Sequence, residues 1–153
     1  MSRENLDTQL QRLAQAHGLA GLQLDADGYC LVRIDGKLDL SLQFDDDSQS
    51  LVLTARCGPL PANGRERVLQ ALLDANYHWA GSGGATLSTN SREGAVYLQF
   101  REPTAQLESD RIADLLQAVI LNAEFWGARL EKLAAGSEPA AAMPAAGSPF
   151  LRA

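Results

Sequence analysis

The stretch from Leu69 to Phe100 most constrains the fold, because in it a leucine-rich helix is followed by two short strands. The helix ends in Asn76-Tyr77-His78-Trp79, and a loop, Gly81-Ser82-Gly83-Gly84, separates it from the strands. Three predicted strands precede this stretch and a long helix follows it. Together they give the order α-β-β-β-α-β-β-α, which predicts an α+β domain in which an antiparallel sheet packs with helices.

The clearest local pattern is the strict alternation of apolar and polar residues from Lys37 to Phe44. A period of two is typical of a strand with one buried face and one wet face. The turn Asp35-Gly36 joins this strand to the run from Tyr29 to Ile34, and a polar turn leads on to a third strand from Leu51 to Ala55. These three strands predict an antiparallel meander.

The first two predicted helices each carry an apolar stripe at helical spacing. The first spans Ser2 to His17 and stops at Gly18. The second follows the segment from Gly58 to Pro61, which is expected to break the sheet. Asn63 and Glu66 have the spacing of a capping box, so the second helix is predicted to begin there.

The rest of the chain is predicted to form a hairpin, a long helix and a tail. The hairpin strands are Ala85 to Thr89 and Ala95 to Arg101, and the helix runs from after Pro103 to about Leu133. From there the sequence turns to alanine, glycine, serine and proline, which cannot bury enough surface to become ordered. We therefore expect a folded domain over residues 1–133, a disordered tail over residues 134–153, and a helix end near Gly136.

The size and charge of the chain limit its partners. At 153 residues it is long enough for one domain, and its formal net charge is −6 with no basic run. Because nucleic-acid binding depends on Lys and Arg that neutralise phosphates, we expect no nucleic-acid partner. No apolar run reaches the roughly 18 residues that cross a bilayer, and the segment Met1 to Asn5 does not resemble a signal peptide. A cytoplasmic protein without a membrane partner is predicted.

The cysteines and histidines do not form a catalytic or metal-binding pattern. Cys30 and Cys57 lie on the first and third predicted strands, with backbones about 9.6 Å apart. Because a disulfide needs Cα atoms within about 7 Å, free thiols are expected. His17 and His78 are not spaced like metal ligands.

Two loops have better explanations than ligand binding. Gly81-Ser82-Gly83-Gly84 precedes a strand and has no lysine nearby, whereas a phosphate-binding loop precedes a helix. Asp25-Ala26-Asp27-Gly28 and Asp45-Asp46-Asp47 lack the spacing of a calcium loop, and both fit turns. We therefore expect no metal and no cofactor, and an enzyme is the least favoured class.

The aromatic cluster Tyr77-His78-Trp79 has two interpretations. Packing of its rings against the following hairpin is the more common role for such a cluster, and a pocket for a partner is the alternative.

The element order and one long segment resemble the type III secretion chaperones of the Tir-chaperone (CesT-like) family. The segment is Leu72-Leu73-Asp74-Ala75-Asn76-Tyr77-His78-Trp79-Ala80-Gly81-Ser82-Gly83-Gly84-Ala85-Thr86-Leu87-Ser88, and Glu124-Phe125-Trp126 adds to the likeness. The resemblance implies an α/β sandwich that dimerises, binds the N-terminal segment of a secreted effector and has no enzymatic activity.

A homodimer is predicted for two reasons. The family pairs subunits through this region, and the second helix has more apolar positions than one small sheet can cover. The expected interface consists of Leu69, Leu72, Leu73, Tyr77, Ala85 and Leu87.

Two modes are expected for binding an extended segment of the effector. Apolar side chains could enter a groove beside the first helix, and a strand could be added to a free sheet edge. The groove candidates, some of which must also belong to the core, are Leu6, Leu10, Leu13, Leu31 and Leu42. The alternative function is a regulatory adaptor of the same fold that sequesters a regulator of secretion genes.

Overall fold

The computed structural model describes residues 3–18 and 21–139, and its element order confirms the predicted α-β-β-β-α-β-β-α arrangement. The helices are α1 (Arg3–His17), α2 (Arg65–Asn76) and α3 (Ser109–Ala135). The strands are β1 (Tyr29–Ile34), β2 (Leu38–Asp45), β3 (Ser50–Pro59), β4 (Thr86–Asn90) and β5 (Ala95–Pro103). Short 3₁₀ turns at Tyr77–Trp79 and Thr104–Gln106 follow α2 and β5.

All five strands form one antiparallel sheet in the order β1-β2-β3-β5-β4. The first three strands form the predicted meander. Asp35 and Gly36 both have positive φ in the first hairpin turn, and Ile34 pairs with Leu38, so Lys37 is a third residue in that connection. β3 and β5 pair in the middle of the sheet and leave β1 and β4 at its two edges.

The core lies between one face of the sheet and the three helices. α3 packs across β3, β5 and β2 and also contacts α1 and α2. α3 buries an apolar stripe along its length, which includes Ile112, Leu115, Leu116, Val119, Ala123, Trp126, Leu130 and Leu133. The alternating residues of β2 face the same core, at Leu38, Leu40, Leu42 and Phe44.

The third strand is longer than predicted. The segment from Gly58 to Pro61 was expected to break the sheet, but Gly58 pairs with Val96 and Pro59 with Ala95. A register shift between Arg56 and Gly58 accommodates one extra residue, as in a β-bulge. The long partner strand β5 extends the pairing beyond the point at which local composition favours a turn.

The predicted capping box at the start of α2 is wrong. The N-cap is Gly64, with φ 65°, and no side chain caps the helix. A Cβ atom on Gly64 would lie 3.0 Å from the carbonyl oxygen of Ala134, so the start of α2 packs closely against the end of α3. This tertiary contact requires glycine, and it places the helix start after Asn63.

α3 begins later than predicted. The backbone N–H and the hydroxyl of Thr104 both donate to the carbonyl of Gln49, at 3.0 and 2.8 Å. These bonds tie the residues after Pro103 to the β2–β3 end of the sheet in a 3₁₀ turn, and the helix starts only at Ser109.

The end of α3 near Gly136 is confirmed. Gly136, with φ 73°, donates its N–H to the carbonyl of Leu133, and Ser137 donates to Lys132. These two bonds form a Schellman motif, which satisfies carbonyls that have no partner at a helix end. The predicted disordered tail lies outside the described residues from position 140 onward.

Candidate partner-binding surfaces

Four of the five leucines predicted to bind a partner fill the core. Leu6, Leu10, Leu13 and Leu42 are buried, whereas the side chain of Leu31 is 59% exposed. A buried side chain has little apolar surface left to lose to a partner, so its contribution is to the fold. Sequence periodicity identified the apolar residues but could not separate these two uses.

The outer edge of β1 offers free backbone groups to a partner strand. The backbone groups of Tyr29 are already occupied: its C=O accepts a hydrogen bond from the N–H of Asp25, and its N–H donates to the Asp25 carboxylate. The strand alternates, so Leu31 and Arg33 direct their N–H and C=O groups outward in the same way as Tyr29. Within the described residues, no backbone hydrogen bond outside the sheet occupies either of them.

Two apolar side chains of this edge strand are incompletely covered on the helix side of the sheet. Val32 and Ile34 of β1 and Ala14 of α1 are only partly buried, although they pack against the core. A strand added beside β1 would direct alternate side chains toward the helix side, where it could bury Val32 and Ile34 further. The groove beside α1 stays a prediction, and these two residues are candidates for it that the sequence-based set did not include.

The opposite edge of the sheet is closed in its middle. The side-chain amide of Asn76 donates to the carbonyl of Leu87 on β4, and the N–H of Leu87 donates to Asn76, each at 2.9 Å. Asn76 thus occupies the two outward backbone groups of Leu87 as a neighbouring strand would. The last residue of α2 therefore protects β4 from an added strand at this position.

The predicted dimer residues divide into buried and exposed groups. Leu72, Ala85 and Leu87 are buried within the chain, and Leu69 is partly buried. Leu73 and Tyr77 are 68% and 74% exposed. A second subunit could therefore contact the last two most directly.

The aromatic cluster Tyr77-His78-Trp79 projects outward, so the packing interpretation is wrong. None of the three side chains is buried, and both Tyr77 and Trp79 are exposed. His78 and Trp79 have φ of 53° and 54°, a left-handed conformation that is costly for bulky residues. The following residues maintain it, because Gly81 and Ser82 both donate to the carbonyl of Ala75 and a Cβ on Gly81 would clash with Ala75.

Sequence reasoning missed two exposed apolar residues on α3. Leu121 and Phe125 lie one helical turn apart, outside the buried stripe, and Phe125 contacts the ring of Trp126 edge-on at 6.0 Å. Their spacing of four residues was a usable signal. It was obscured because so many neighbouring positions of α3 are apolar.

The sheet face opposite the helices is open and mainly polar. A shallow cleft of about 880 Å³ on this face is lined by residues of every strand, including Leu31, Thr54 and Tyr97. Arg33 contacts Asp39 at 2.6 Å, and this hydrogen bond lowers the pKa of Asp39. Exposed ion pairs of this kind contribute little to stability, and the face resembles an ordinary solvated sheet surface.

The described residues contain no arrangement suited to metal binding or to thiol chemistry. No group of three or more His, Cys, Asp or Glu side chains is placed to hold a metal ion in this part of the chain. Cys30 and Cys57 are free thiols, as expected, and burial raises the pKa of Cys57 to about 12. A thiol with so high a pKa is a poor nucleophile. Between residues 3 and 139, no described helix is both long and apolar enough to cross a membrane.

Three solved complexes each contain a chain with a similar fold. The chain is 23% identical to a chain of the ExsC–ExsE complex, covering 92% of this chain and 98% of that one, with a TM-score of 0.76. The chain is 18% identical to a chain of the HopA1–SchA chaperone–effector complex, covering 84% of this chain and 98% of that one, with a TM-score of 0.66. It is 19% identical to a chain of the complex between the Yersinia pestis type III secretion chaperone SycH and a fragment of YscM2, covering 78% of this chain and 98% of that one, with a TM-score of 0.62.

The fold is thus that of the type III secretion chaperones. The sequence model of the Tir chaperone protein (CesT) family matches residues 8–127, most of the chain, so the protein belongs to this family. A comparison with curated proteins gives no significant match.

The pairing of Asn76 with Leu87 predicts a measurable cost for its removal. Asn76→Ala leaves both backbone groups of Leu87 without their partner in a partly buried position, so we expect unfolding free energy to fall by about 1–3 kcal/mol. Gln70→Ala, at an exposed site on the same helix, should change it by about 0.5 kcal/mol or less. Urea unfolding at one fixed protein concentration measures both. Equal effects of the two substitutions would contradict the role of Asn76.

Proposed function

We propose that this chain acts in the cytoplasm as a homodimeric type III secretion chaperone that binds the extended N-terminal segment of a secreted effector. Membership of the Tir chaperone family supports this function, and the HopA1–SchA relative is a chaperone–effector complex. The observation that carries the proposal is the open edge of β1, next to the partly buried apolar side chains of Val32 and Ile34.

Effector binding would combine strand addition with apolar contacts. The backbone of the effector segment pairs with Leu31 and Arg33, and its alternate side chains cover Val32, Ile34 and Ala14. Main-chain bonds at the edge are indifferent to sequence, whereas the groove selects apolar side chains at every second position. Ordering a disordered segment costs roughly 2–5 kcal/mol or more, so contacts beyond this edge are required.

The mechanism is passive. The chaperone covers aggregation-prone apolar side chains of the effector and holds the segment extended, which keeps it soluble and ready for export. This role needs no enzymatic activity, ATP, metal or cofactor.

Dimerisation would use the exposed side of α2. Leu73 and Tyr77 lie one turn apart on this side, and Trp79 follows them in the strained turn. Exposed leucine and aromatic side chains in one region are typical of a protein interface. The buried members of the predicted interface, Leu72, Ala85 and Leu87, would support this surface from beneath.

Strand addition at β1 predicts that proline at Leu31 weakens effector binding. Leu31→Pro removes an outward N–H without breaking the β1–β2 pairing, so we expect a loss of about tenfold in affinity. Leu31→Val keeps both the N–H and an apolar side chain and should stay within about threefold of the original chain. Binding is measured by calorimetry with N-terminal regions of secreted proteins of the same bacterium, beginning with any encoded beside this chain.

The opposite sheet edge provides the matched control. Thr89→Pro removes an outward N–H from β4, so it should leave effector affinity unchanged if the effector adds to β1. Strand addition at β1 is wrong if Leu31→Pro binds normally, and the effector uses the other edge if only Thr89→Pro binds weakly.

The proposed dimer predicts a molar mass near twice 16.4 kDa for the original chain. Leu73→Asp places a charge in the expected apolar interface and should give monomers at micromolar concentration. Gln117→Asp introduces the same charged residue at an exposed polar position on α3, and this variant should remain dimeric. Multi-angle light scattering decides, and a mass near 16.4 kDa for the original chain removes the proposal.

The regulatory-adaptor alternative stays a prediction. It uses the same β1 edge, so the chemistry of the surface cannot favour either partner. The identity of the bound protein separates the two functions, because an effector is exported whereas a regulator of secretion genes acts inside the cell.

A further inference from the structure

The helix pair α2–α3 leaves apolar surface that its own contacts do not cover. The helices run antiparallel: Arg67 Nη1 donates to the carbonyl of Leu133 at 2.9 Å, and Asn122 Nδ2 donates to Ser82 at 2.6 Å. Leu121 and Phe125 are exposed on α3, and along this helix they lie near Asn122 rather than near Leu133. The sequence-based dimer prediction did not include either residue.

The chain after α3 turns back along this helix. The Schellman motif at Gly136 reverses the backbone, and the carboxylate of Glu138 then lies 3.1 Å from Nε of Arg129. Arg129 is almost fully buried, and its guanidinium lies over the ring of Trp126 at 4.8 Å. A buried charge requires its partner, so this ion pair holds Glu138, the residue before Pro139, beside Arg129.

The uncovered residues lie on the same row of α3 as Arg129. Leu121, Phe125 and Arg129 are spaced by four residues, so they lie along one ridge of α3. Phe125 is about 6 Å and Leu121 about 12 Å along the helix axis from Arg129, on the side away from the C-terminus. Glu138, which pairs with Arg129, therefore lies about one turn of the helix from Phe125 and about two turns from Leu121.

The remaining sequence has suitable length and chemistry to cover the ridge. Phe150 and Leu151 form its one adjacent pair of large apolar residues, and Phe150 follows Pro139 by eleven residues. Eleven residues span at most about 36–40 Å, well beyond the distance required. Arg152 follows the pair, and the exposed Glu124 lies between Leu121 and Phe125, so their charges are complementary.

We propose that Phe150 and Leu151 pack against Leu121 and Phe125 of the same chain. The ion pair between Arg129 and Glu138 directs the segment back along α3, and Arg152 lies near Glu124. The contact covers apolar surface next to the expected dimer interface, without occupying the β1 edge. A tether of this length gives an effective concentration near millimolar, enough for a weak contact to be populated.

A thiol placed beside the ridge reports whether it is covered. Ala128→Cys introduces a small side chain at an exposed position one turn beyond Phe125, and the two natural cysteines are buried or partly buried. Its rate of reaction with a charged thiol reagent is measured in the full-length chain. We expect this rate to rise about threefold or more when Phe150→Ser and Leu151→Ser are added, because the ridge is then uncovered.

Two controls separate this contact from other causes. Ala145→Ser with Ala146→Ser changes the same segment without removing its apolar pair, so the reaction should remain slow. Ala16→Cys, at an exposed position on α1, should react with the thiol reagent at the same rate whether the tail is original or substituted. Circular dichroism checks that each variant is folded.

The remaining outcomes overturn the proposal. An unchanged rate in the Phe150→Ser, Leu151→Ser variant shows that the tail does not cover the ridge. A rate that slows only as protein concentration rises assigns the ridge to a second copy of the chain. Effector affinity and molar mass are measured separately, so failure here leaves the proposed chaperone function testable on its own.

Discussion

The packing of α3 across the middle of the sheet is the contact on which the other parts of the structure depend. Its buried stripe, centred on residues such as Val119 and Trp126, covers β3 and β5, and α1 and α2 pack on the same helix. α3 contacts mainly the central strands, so the two edge strands depend on other neighbours: α2 supplies one at β4, and the outer edge of β1 is open within the described residues. The chemistry available to a partner is determined at those edges.

The two edges differ because of one side chain. Asn76 satisfies the outward backbone groups of Leu87 on β4, whereas in the described part of the chain no loop backbone bonds to the corresponding groups of Leu31 and Arg33 on β1. An unpaired edge promotes aggregation unless it has a partner or is short. We propose that in this chaperone the open edge is kept for an effector strand, and that the closed edge prevents the same segment from binding in a second place.

The sequence predicted most of the fold because its elements are consistent with local rules. Periodicity, β-rich runs and turn residues identified the three α-helices and five strands of the described residues. The helix start at Gly64 and the strand through Pro59 depend instead on contacts with residues far away in the chain. The site was harder to predict for the same reason. Leu6 and Leu31 look alike as apolar residues, and only the assembled sheet shows that one is buried and the other exposed.

Strand addition at β1 is tested by amide hydrogen exchange of this strand, measured by NMR with and without a bound effector segment. If an effector strand pairs with this edge, the amides of Leu31 and Arg33 become strongly protected on binding. Those of Cys30 and Val32, which already pair with β2, should change much less. Unchanged exchange at Leu31 and Arg33, in chaperone that is saturated with the effector segment, would contradict strand addition at this edge.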